Sequence, residues 1–523
     1  MSASTVPPLK LPLADKLPLV GAWPRLSAKT RAWLLTGLVA IGVLAVFLAL
    51  FTLVQYATPG LADNDGYYHM RMARLFREQG LKPDFVWLPL TILNQASFYD
   101  HHLLWHAYLA LFAGSPNPAD LIAGAKLASV IMPALAFLAI WWLLRGQRVR
   151  WAALWALGLF ALSQAFLYRL SMPRAQSASL LVLALGLHWL LTRRHWALLP
   201  LGFIYVWMYD AFPMLLVIAG VYVAAAWITE RKLEWRALVY PAAGIALGLV
   251  VNLYFPQDLQ FIFNHLTAKL GDSTPVGNEW YPYDTWVLLS NSGAALAAFL
   301  AGALALGARG KRMDRATLTA FGLAVVTGFM LFKARRFIEY FPAFALIFAA
   351  LSIAPLLDEW LAGRPRLNRL APVGMPILML AVLAAPLALT VQQAQAAMQT
   401  SDPPNLYQAA STWVKQNSTP GSMIFQTDWD VFPHLFFYNT QNLYTAGLDP
   451  TYSEIYDPKL YAEWVKITRG GMQHPGHAIR ADFGAEYVLT DLGHTSFIHA
   501  ASGDPLLQQV YRDNQAIVYR VLP

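Results

Sequence analysis

The sequence predicts a polytopic α-helical membrane protein with about 11 spans and a C-terminal soluble α/β domain. Of its 523 residues, 57% are hydrophobic and only 13% are charged, whereas soluble domains carry roughly 25% charged residues. Apolar runs of spanning length recur along most of the chain, and the composition becomes that of a soluble domain from about residue 401. Cysteine is absent, which excludes disulfides and thiolate metal sites.

The chain begins with a Pro-rich segment that carries four basic residues, Lys10, Lys16, Arg25 and Lys29. Residues 1–30 are therefore expected to form a cytoplasmic tail. The first apolar run starts too far from the N-terminus, and is too long, for a cleaved signal peptide, so we expect a retained span.

Eleven apolar runs predict the membrane domain, because a span needs about 20 mostly apolar residues. The runs lie near residues 31–54, 120–144, 152–169, 177–192, 197–209, 211–228, 237–254, 286–306, 316–332, 337–357 and 371–391. They place the membrane domain at 31–395 and the soluble domain at 396–523.

Basic residues between the runs orient the spans, because Lys and Arg are enriched in cytoplasmic loops. Most of the net charge of +8 lies in these short loops, so it indicates orientation and not nucleic-acid binding. The clusters on the side of the tail are 145–150, 193–194, 230–236, 309–312 and 364–369. The external loops 55–119 and 255–285, the loop 170–176 and the C-terminal domain then face the periplasm.

One basic cluster breaks this rule. Lys333, Arg335 and Arg336 fall on the outer side, between two apolar runs. They either extend along the apolar surface to lipid headgroups or serve a functional site.

The first external loop opens with a cluster of acidic residues, in which Asp65 follows Asp63. Tyr68 and His69 come next, and His69 lies one helical turn after Asp65. Residues four apart share one helix face, so Asp65 and His69 can point at one ligand or metal. The alternative is that the segment 63–66 only caps a helix.

The same loop carries Asp100, His101 and His102, with His106 one turn later. Carboxylate and imidazole groups form a ligand set for a divalent metal. The alternative is an interfacial amphipathic helix, to which the apolar residues of 103–108 would contribute. The second external loop, residues 255–285, is called the late loop below. Glu279 is the only Glu of its irregular Gly- and Pro-containing segment.

The C-terminal domain alternates strand and helix patterns, which predicts a small α/β sheet. Strands are predicted at 422–427, 442–447, 486–491, 507–511 and 515–521, and helices near 404–416, 458–469 and 476–484. Trp429 and Asp430 follow the first strand, where α/β folds bind ligands, unless they form an ordinary loop with one buried Trp. No GxGxxG or P-loop motif occurs, so no nucleotide is expected.

This layout resembles the GT-C superfamily of polyprenyl-lipid-dependent glycosyltransferases, and most nearly the catalytic subunit of oligosaccharyltransferase, as a divergent bacterial-type member. The resemblance covers the chain end to end: a first span, an acidic external loop, many spans, a Glu-bearing late loop and an external α/β domain. It implies a sugar donor carried on a polyprenyl lipid, with membrane lipids as further partners.

The resemblance also implies roles for individual residues. Asp65, in Asn64-Asp65-Gly66-Tyr67, would help to hold a divalent metal, and Glu279 would complete that site. Arg336, in Arg336-Phe337, would bind the donor phosphate with help from Arg335 or Lys333. Trp429 and Asp430 retain only the Trp-Asp core of the motif that recognises the acceptor.

Two departures from the superfamily pattern stand out. The loop 170–179 should carry a second acidic motif and has no carboxylate. Either Asp100 or the pair His101 and His102 replaces it, with Mg or Mn as the metal, or the enzyme works without a firmly held metal. The degraded acceptor motif argues against protein N-glycosylation.

The expected function is therefore an inverting transfer of a sugar or oligosaccharide from a polyprenyl (di)phosphate to a lipid, glycan or protein. The reaction would occur at the outer face of the inner membrane, with Asp65 activating the acceptor and no nucleic-acid partner. One alternative is a lipid-linked glycan flippase or transporter, for which Asp210 beside Pro213 is the best polar site. The other is an oligosaccharyltransferase acting on Asn.

Overall fold

The computed structural model describes residues 27–271 and 277–523. Residues 1–26, which hold most of the predicted cytoplasmic tail, and residues 272–276 of the predicted late loop lie outside the described residues. Within the described ranges, fifteen α-helices precede a C-terminal part with five strands and six α-helices.

The fifteen helices of the N-terminal part follow the apolar runs and the loops between them. They are α1 Ala28–Gln55, α2 Asp65–Gln79, α3 Leu103–Ala110, α4 Pro118–Gly146, α5 Ala152–Leu157, α6 Gln164–Leu170, α7 Gln176–Leu191, α8 Leu198–Met208, α9 Pro213–Glu230, α10 Arg236–Val250, α11 Gln257–Gly271, α12 Thr285–Arg309, α13 Arg315–Lys333, α14 Phe341–Ala362 and α15 Pro365–Gln399.

Each of the eleven predicted apolar runs contains a helix. Seven helices (α1, α4, α9, α12, α13, α14 and α15) are long and apolar enough to cross a membrane, and the pair formed by α5 and α6, bent by 96°, brings the count to eight. The runs at α7, α8 and α10 form shorter apolar helices of 10–17 residues. The prediction of a multi-pass helical membrane protein is confirmed.

Side-chain caps fix where several helices begin. Asn117 accepts a hydrogen bond from the backbone N–H of Ala119, and Pro118 occupies the first position of α4. Asp284 caps α12 and Asp314 caps α13 in the same way. Each cap satisfies a backbone donor that the first turn leaves without a partner.

The buried fraction of each helix shows its place in the bundle. In the most apolar windows of α4 and α14, 72% of the residues are buried, against 17% in α1 and 6% in α15. Helices α4 and α14 therefore form the centre of the bundle. The apolar side chains of α1 and α15 face outward, as expected for helices in contact with lipid.

The start of α2 lies directly against the loop between α6 and α7. Gly66 makes this approach possible, because a Cβ atom there would lie 2.2 Å from the Cγ atom of Pro173. The indole N–H of Trp105 donates to the carbonyl of Pro173 at 3.2 Å. The hydroxyl of Tyr168 donates to the carbonyl of Ala62. These contacts fix the loop next to the first acidic cluster.

The C-terminal part is built around one mixed sheet, as predicted. Its elements are α16 Gln408–Asn417, β1 Met423–Gln426, α17 Phe432–Tyr438, β2 Leu443–Tyr444, α18 Pro450–Tyr456, α19 Pro458–Thr468, α20 Gly476–Ala481, β3 Ala485–Asp491, α21 Thr495–Ser502, β4 Leu507–Arg512 and β5 Ala516–Val521. The strand order is β2-β1-β3-β5-β4. The first three strands are parallel, and β5 pairs antiparallel with β3 and β4.

All five predicted strands are present, but helices α17, α18 and α21 were not predicted. These helices have only seven or eight residues. In α17, every residue from Phe432 to Phe437 is buried. A short helix that is buried on all sides has no helical periodicity in its sequence, so its pattern resembles a loop or a strand.

The sheet is joined to the first external loop through a shared hydrophobic core. Helix α17 packs on α2, with the rings of Tyr67 and His434 4.1 Å apart. Phe436 contacts Trp87 of the loop with ring centroids 4.8 Å apart. The guanidinium of Arg71 donates to the backbone carbonyl of Phe437. The sheet is therefore held beside the residues that begin α2.

Replacing Gly66 with Ala is expected to destabilise the protein, because the added Cβ atom forces α2 away from Pro173. Overpacking of this kind costs about 1–3 kcal/mol. The measurement is the apparent melting temperature of the purified protein in detergent. Gly114 is the matched control, since a Cβ atom there meets nothing within 4 Å. Equal melting temperatures for Gly66→Ala and Gly114→Ala would contradict the close approach.

Candidate active site

A cavity of about 330 Å³ lies where the end of the helix bundle meets the C-terminal part. Eight segments of the chain line it, and most of the lining side chains are charged or aromatic. The lining residues are Asp65, Tyr68, His69, His101, His102, Arg174, Tyr209, Asp210, Gly277, Asn278, Glu279, Trp280, Arg336, Trp429, Asp430, Leu448, Asp449, Pro450 and Tyr452. Helix ends and loops of the bundle therefore meet the C-terminal part at this cavity.

The cavity brings together most of the residues that the sequence singled out. Asp65, Tyr68, His69, His101, His102, Glu279, Arg336, Trp429 and Asp430 all line it. Asp100, Arg335 and Lys333 are not among its lining residues. Arg335 instead donates to the carbonyl of Pro282 at 3.1 Å and lies over the ring of Tyr283. The roles of all these residues stay predictions.

Arg174 lies at the centre of the charged groups, although it was not among the residues predicted from the sequence. Its guanidinium is 2.9 Å from Asp63, 3.3 Å from Asp65 and 3.7 Å from Glu279. Burial alone would lower the pKa of Arg174, but Asp65, Glu279 and Asp63 raise it well above its ordinary value. The loop that was expected to supply a second acid thus supplies a cation.

Glu279 is surrounded by three guanidiniums. Arg169 lies 2.9 Å from its carboxylate, Arg336 3.5 Å and Arg174 3.7 Å. Burial alone would raise the pKa of Glu279, but these three arginines hold it well below its ordinary range. The Nε atom of Arg169 also donates to the buried carboxylate of Glu339 at 2.7 Å. Glu279 is therefore an anion that belongs to an arginine cluster.

Arg336 is held in a fixed orientation at the cavity wall. It donates to the hydroxyl of Tyr209 at 2.9 Å, and its guanidinium lies 4.2 Å above the ring of Trp280. With Glu279 on a third side, the side chain has few other orientations. A guanidinium fixed in this way can bind an anionic ligand without a further ordering cost.

Asp65 differs from Glu279 in its electrostatic environment. Burial raises the pKa of Asp65 to about 7, with Arg174 opposing the shift and Asp63, Asp430 and Glu279 adding to it. A carboxyl group with a pKa near the working pH is suited to accept a proton in a general-base step.

Asp100 does not offer its carboxylate to the cavity, because both of its oxygens are hydrogen-bonded. One accepts from His106 Nδ1 at 2.7 Å and the other from the backbone N–H of His102 at 2.9 Å. His106 Nε2 in turn lies 2.8 Å from His69 Nδ1. Asp100, His106 and His69 are 2%, 0% and 3% exposed. They form a buried chain of hydrogen bonds, called the relay below, that ends at the cavity wall.

Asn64 links the first acidic cluster to the C-terminal part. Its amide donates to Asp430 at 3.3 Å, and its oxygen lies 3.2 Å from His434 Nε2. Burial raises the pKa of Asp430 to about 6, and Asp428 adds to the shift. The residues predicted to contact an acceptor therefore lie beside Asp65.

The residues predicted to bind a metal do not assemble into one ligand set. In the described ranges, the only three groups whose ligand atoms lie within 4.8 Å of one another are Asp428, Asp491 and His494. Asp428 and His494 also line a second cavity of about 390 Å³ in the C-terminal part. The His494 ring is paired with Asp491 at 2.5 Å. Asp65 and Glu279 are instead bridged by Arg174.

Comparison with solved structures places this architecture among known folds. The chain is similar to an archaeal oligosaccharyltransferase, AglB from Archaeoglobus fulgidus, with a TM-score of 0.64 and 14% identity over 91% of this chain and 72% of that one. It is similar to ArnT from Cupriavidus metallidurans, with a TM-score of 0.59 and 16% identity over 92% and 98%. The chain has the GT-C fold.

A third similar structure is the arabinofuranosyltransferase AftD from mycobacteria, with a TM-score of 0.52 and 17% identity over 92% of this chain and 41% of that one. No protein-family model and no curated protein sequence matches the chain. The identities are low, so the likeness shows a shared fold and assigns no roles to the residues of the cavity.

Three residues of the ion-pair cluster were not predicted from the sequence: Arg169, Arg174 and Glu339. One signal pointed to the two arginines. Both lie in or next to the predicted external loop 170–176, so they break the positive-inside pattern just as Arg336 does. No comparable signal marks Glu339, which lies inside an apolar run.

The relay is expected to be energetically coupled. Asp100→Ala and His106→Ala should each destabilise the protein, since each leaves a buried partner without its hydrogen bond, at a cost of about 1–3 kcal/mol. The double variant should lose less stability than the two single losses combined. The measurement is the free energy of unfolding, or the melting temperature, of all four proteins. Additive losses would contradict the coupling.

Proposed function

We propose that the protein is an inverting glycosyltransferase that moves a sugar or oligosaccharide from a polyprenyl phosphate or diphosphate to an acceptor. One observation carries the proposal: Asp65, a carboxyl group with a pKa of about 7, and the fixed guanidinium of Arg336 line the same cavity. A base and a fixed cation are the two groups that displacement of a phosphate from a sugar requires.

In the proposed reaction, Asp65 takes the proton of the acceptor group as that group attacks the anomeric carbon. The new bond forms on the face opposite the departing phosphate, which inverts the configuration. The bond between the anomeric carbon and the phosphate oxygen breaks, and its electron pair leaves with the phosphate. Arg336 stabilises the charge that develops there.

The donor class is supported by the similar structures. The archaeal enzyme is described in complex with a dolichol-phosphate, and ArnT is described bound to undecaprenyl phosphate. Both ligands are polyprenyl lipids that end in phosphate. We infer a donor of this class for the present chain, with its isoprenoid tail in the lipid beside the helices.

The acceptor would enter from the C-terminal part. Trp429 and Asp430 line the cavity on that side, and Asn64 joins Asp430 to the segment that carries Asp65. A lipid, a glycan or a protein side chain would each meet the base in this position. Asp210, the residue that fitted a transporter best, lines the same cavity as Asp65. That shared location supports a catalytic function over transport without chemistry.

The charge pattern supports one side of the membrane for this reaction. With the basic loops in the cytoplasm, as enrichment in Lys and Arg indicates, the cavity and the C-terminal part would face the outer side of the inner membrane. The sequence contains no GxGxxG or P-loop motif, which agrees with a lipid-linked donor.

The test is transfer from a labelled undecaprenyl-linked sugar to a panel of lipid, glycan and peptide acceptors by the purified protein. Asp65→Asn is expected to lower kcat/KM by about 100-fold or more, because it removes the base. Arg336→Ala is expected to lower it by about 100- to 1000-fold, because it removes the charge that stabilises the leaving phosphate.

The wild-type rate should fall as the pH drops below about 7, since Asp65 is then protonated.

Two neighbouring variants serve as controls. Asp84→Asn changes an exposed carboxylate of the same loop, and Arg77→Ala removes an exposed arginine of α2 that does not line the cavity. Both should transfer sugar at nearly the wild-type rate. Wild-type rates for Asp65→Asn and Arg336→Ala would refute the assignment of the site. Movement of intact donor across the membrane without bond cleavage would favour a flippase.

A further inference from the structure

The carboxylates that would hold a divalent metal are already bound to a protein cation. The Arg174 guanidinium reaches Asp63, Asp65 and Glu279 at 2.9, 3.3 and 3.7 Å. It therefore lies between Asp65 and Glu279, the two residues whose positions the GT-C pattern assigns to metal binding. A related structure, that of the archaeal oligosaccharyltransferase, is described as a complex with Zn and sulfate.

We propose that Arg174 replaces the divalent cation at this site, so that the protein holds Asp65 and Glu279 without a metal. The inference concerns the site of the proposed glycosyl transfer, but it can be tested without measuring turnover.

The loop that carries Arg174 is fixed, so the guanidinium cannot easily leave. Gly66 lets Pro173 lie against the start of α2, and Trp105 donates to the carbonyl of Pro173. Gln176 donates to the carbonyl of Arg169 at 2.8 Å, which closes the loop from its other end. Arg174 is held from both sides in the position where it meets the carboxylates.

The charges around the site also disfavour a second cation. Three guanidiniums, those of Arg169, Arg174 and Arg336, already face Glu279. A divalent ion between Asp65 and Glu279 would lie within a few ångströms of Arg174, and like charges at that distance repel strongly when partly buried. Glu279 is also occupied by Arg169, so few of its lone pairs are left for a metal.

The geometry of the neighbouring side chains also disfavours a metal ion between Asp65 and Glu279. Metal ions need three or more ligand atoms that converge on one point. Asp100 has both oxygens engaged by His106 and His102, so it does not supply the missing ligand. In the part of the chain that the structure describes, Asp65 and Glu279 belong to no group of three converging His, Asp or Glu ligands.

The experiment measures Mn²⁺ binding to the purified full-length protein by titration calorimetry, with electron paramagnetic resonance of free Mn²⁺ as a second readout. All proteins carry His494→Ala, which disables the separate group of Asp428, Asp491 and His494. The proteins compared are the parent, Asp65→Asn, Arg174→Asp, Arg174→Lys, and Arg174→Asp combined with Asp65→Asn. Their melting temperatures show that each one is folded.

The parent and Arg174→Lys are expected to show no Mn²⁺ binding that depends on Asp65. Arg174→Asp should gain a Mn²⁺ site, because it replaces the cation with a third carboxylate. Adding Asp65→Asn should weaken that site by about tenfold or more, as loss of a ligand or its support does. If Arg174→Asp does not fold, Arg174→Gln takes its place; it removes the cation and offers a neutral amide oxygen, so a weaker site that still depends on Asp65 is then expected.

Two results would overturn the inference. Mn²⁺ binding by the parent that is lost in Asp65→Asn would show that the metal and Arg174 are bound together. A folded Arg174→Asp protein that gains no Asp65-dependent site would show that Arg174 does not stand in the place of an ion. Neither result bears on sugar transfer, so a failure here is distinct from a failure of the proposed function.

Discussion

A single guanidinium, that of Arg174, holds the three carboxylates around which the cavity is built. Asp63 and Asp65 come from the segment that starts α2, Glu279 from the late loop, and Arg174 from the loop between α6 and α7. Segments more than a hundred residues apart in sequence therefore meet at one side chain. Without that cation the three acids would repel one another.

The same cluster explains how two carboxylates at one site acquire different properties. Glu279 faces three arginines and stays ionised, whereas Asp65 meets one arginine and several acids, so its pKa rises to about 7. The electrostatics of the site thus favour an ionised Glu279 and an Asp65 that can take a proton, and we propose different roles for the two. Separation of pKa values between neighbouring acids is a recurring way to assign such roles.

The sequence carried enough information to predict the architecture and half of the site. Hydropathy located every apolar helix, and the basic loops placed Asp65, Glu279 and Arg336 on one side, where the structure brings them into one cavity. Ion-pair partners were harder to predict, because they depend on side-chain directions. The approach of Arg174 to Asp65 rests on the contact between Gly66 and Pro173, which no periodic pattern encodes.

We propose that this cavity binds the phosphate of a polyprenyl lipid through Arg336. Its most direct test is the affinity of the purified protein for undecaprenyl phosphate compared with undecaprenol, which lacks the phosphate. Wild-type protein should prefer the phosphorylated lipid by about tenfold or more, the ratio expected for a charge-assisted hydrogen bond of about 1.5–3 kcal/mol. Arg336→Ala should lose most of that preference. Equal affinities for the two lipids in the wild type, or an unchanged preference in Arg336→Ala, would contradict the binding of the lipid phosphate by Arg336.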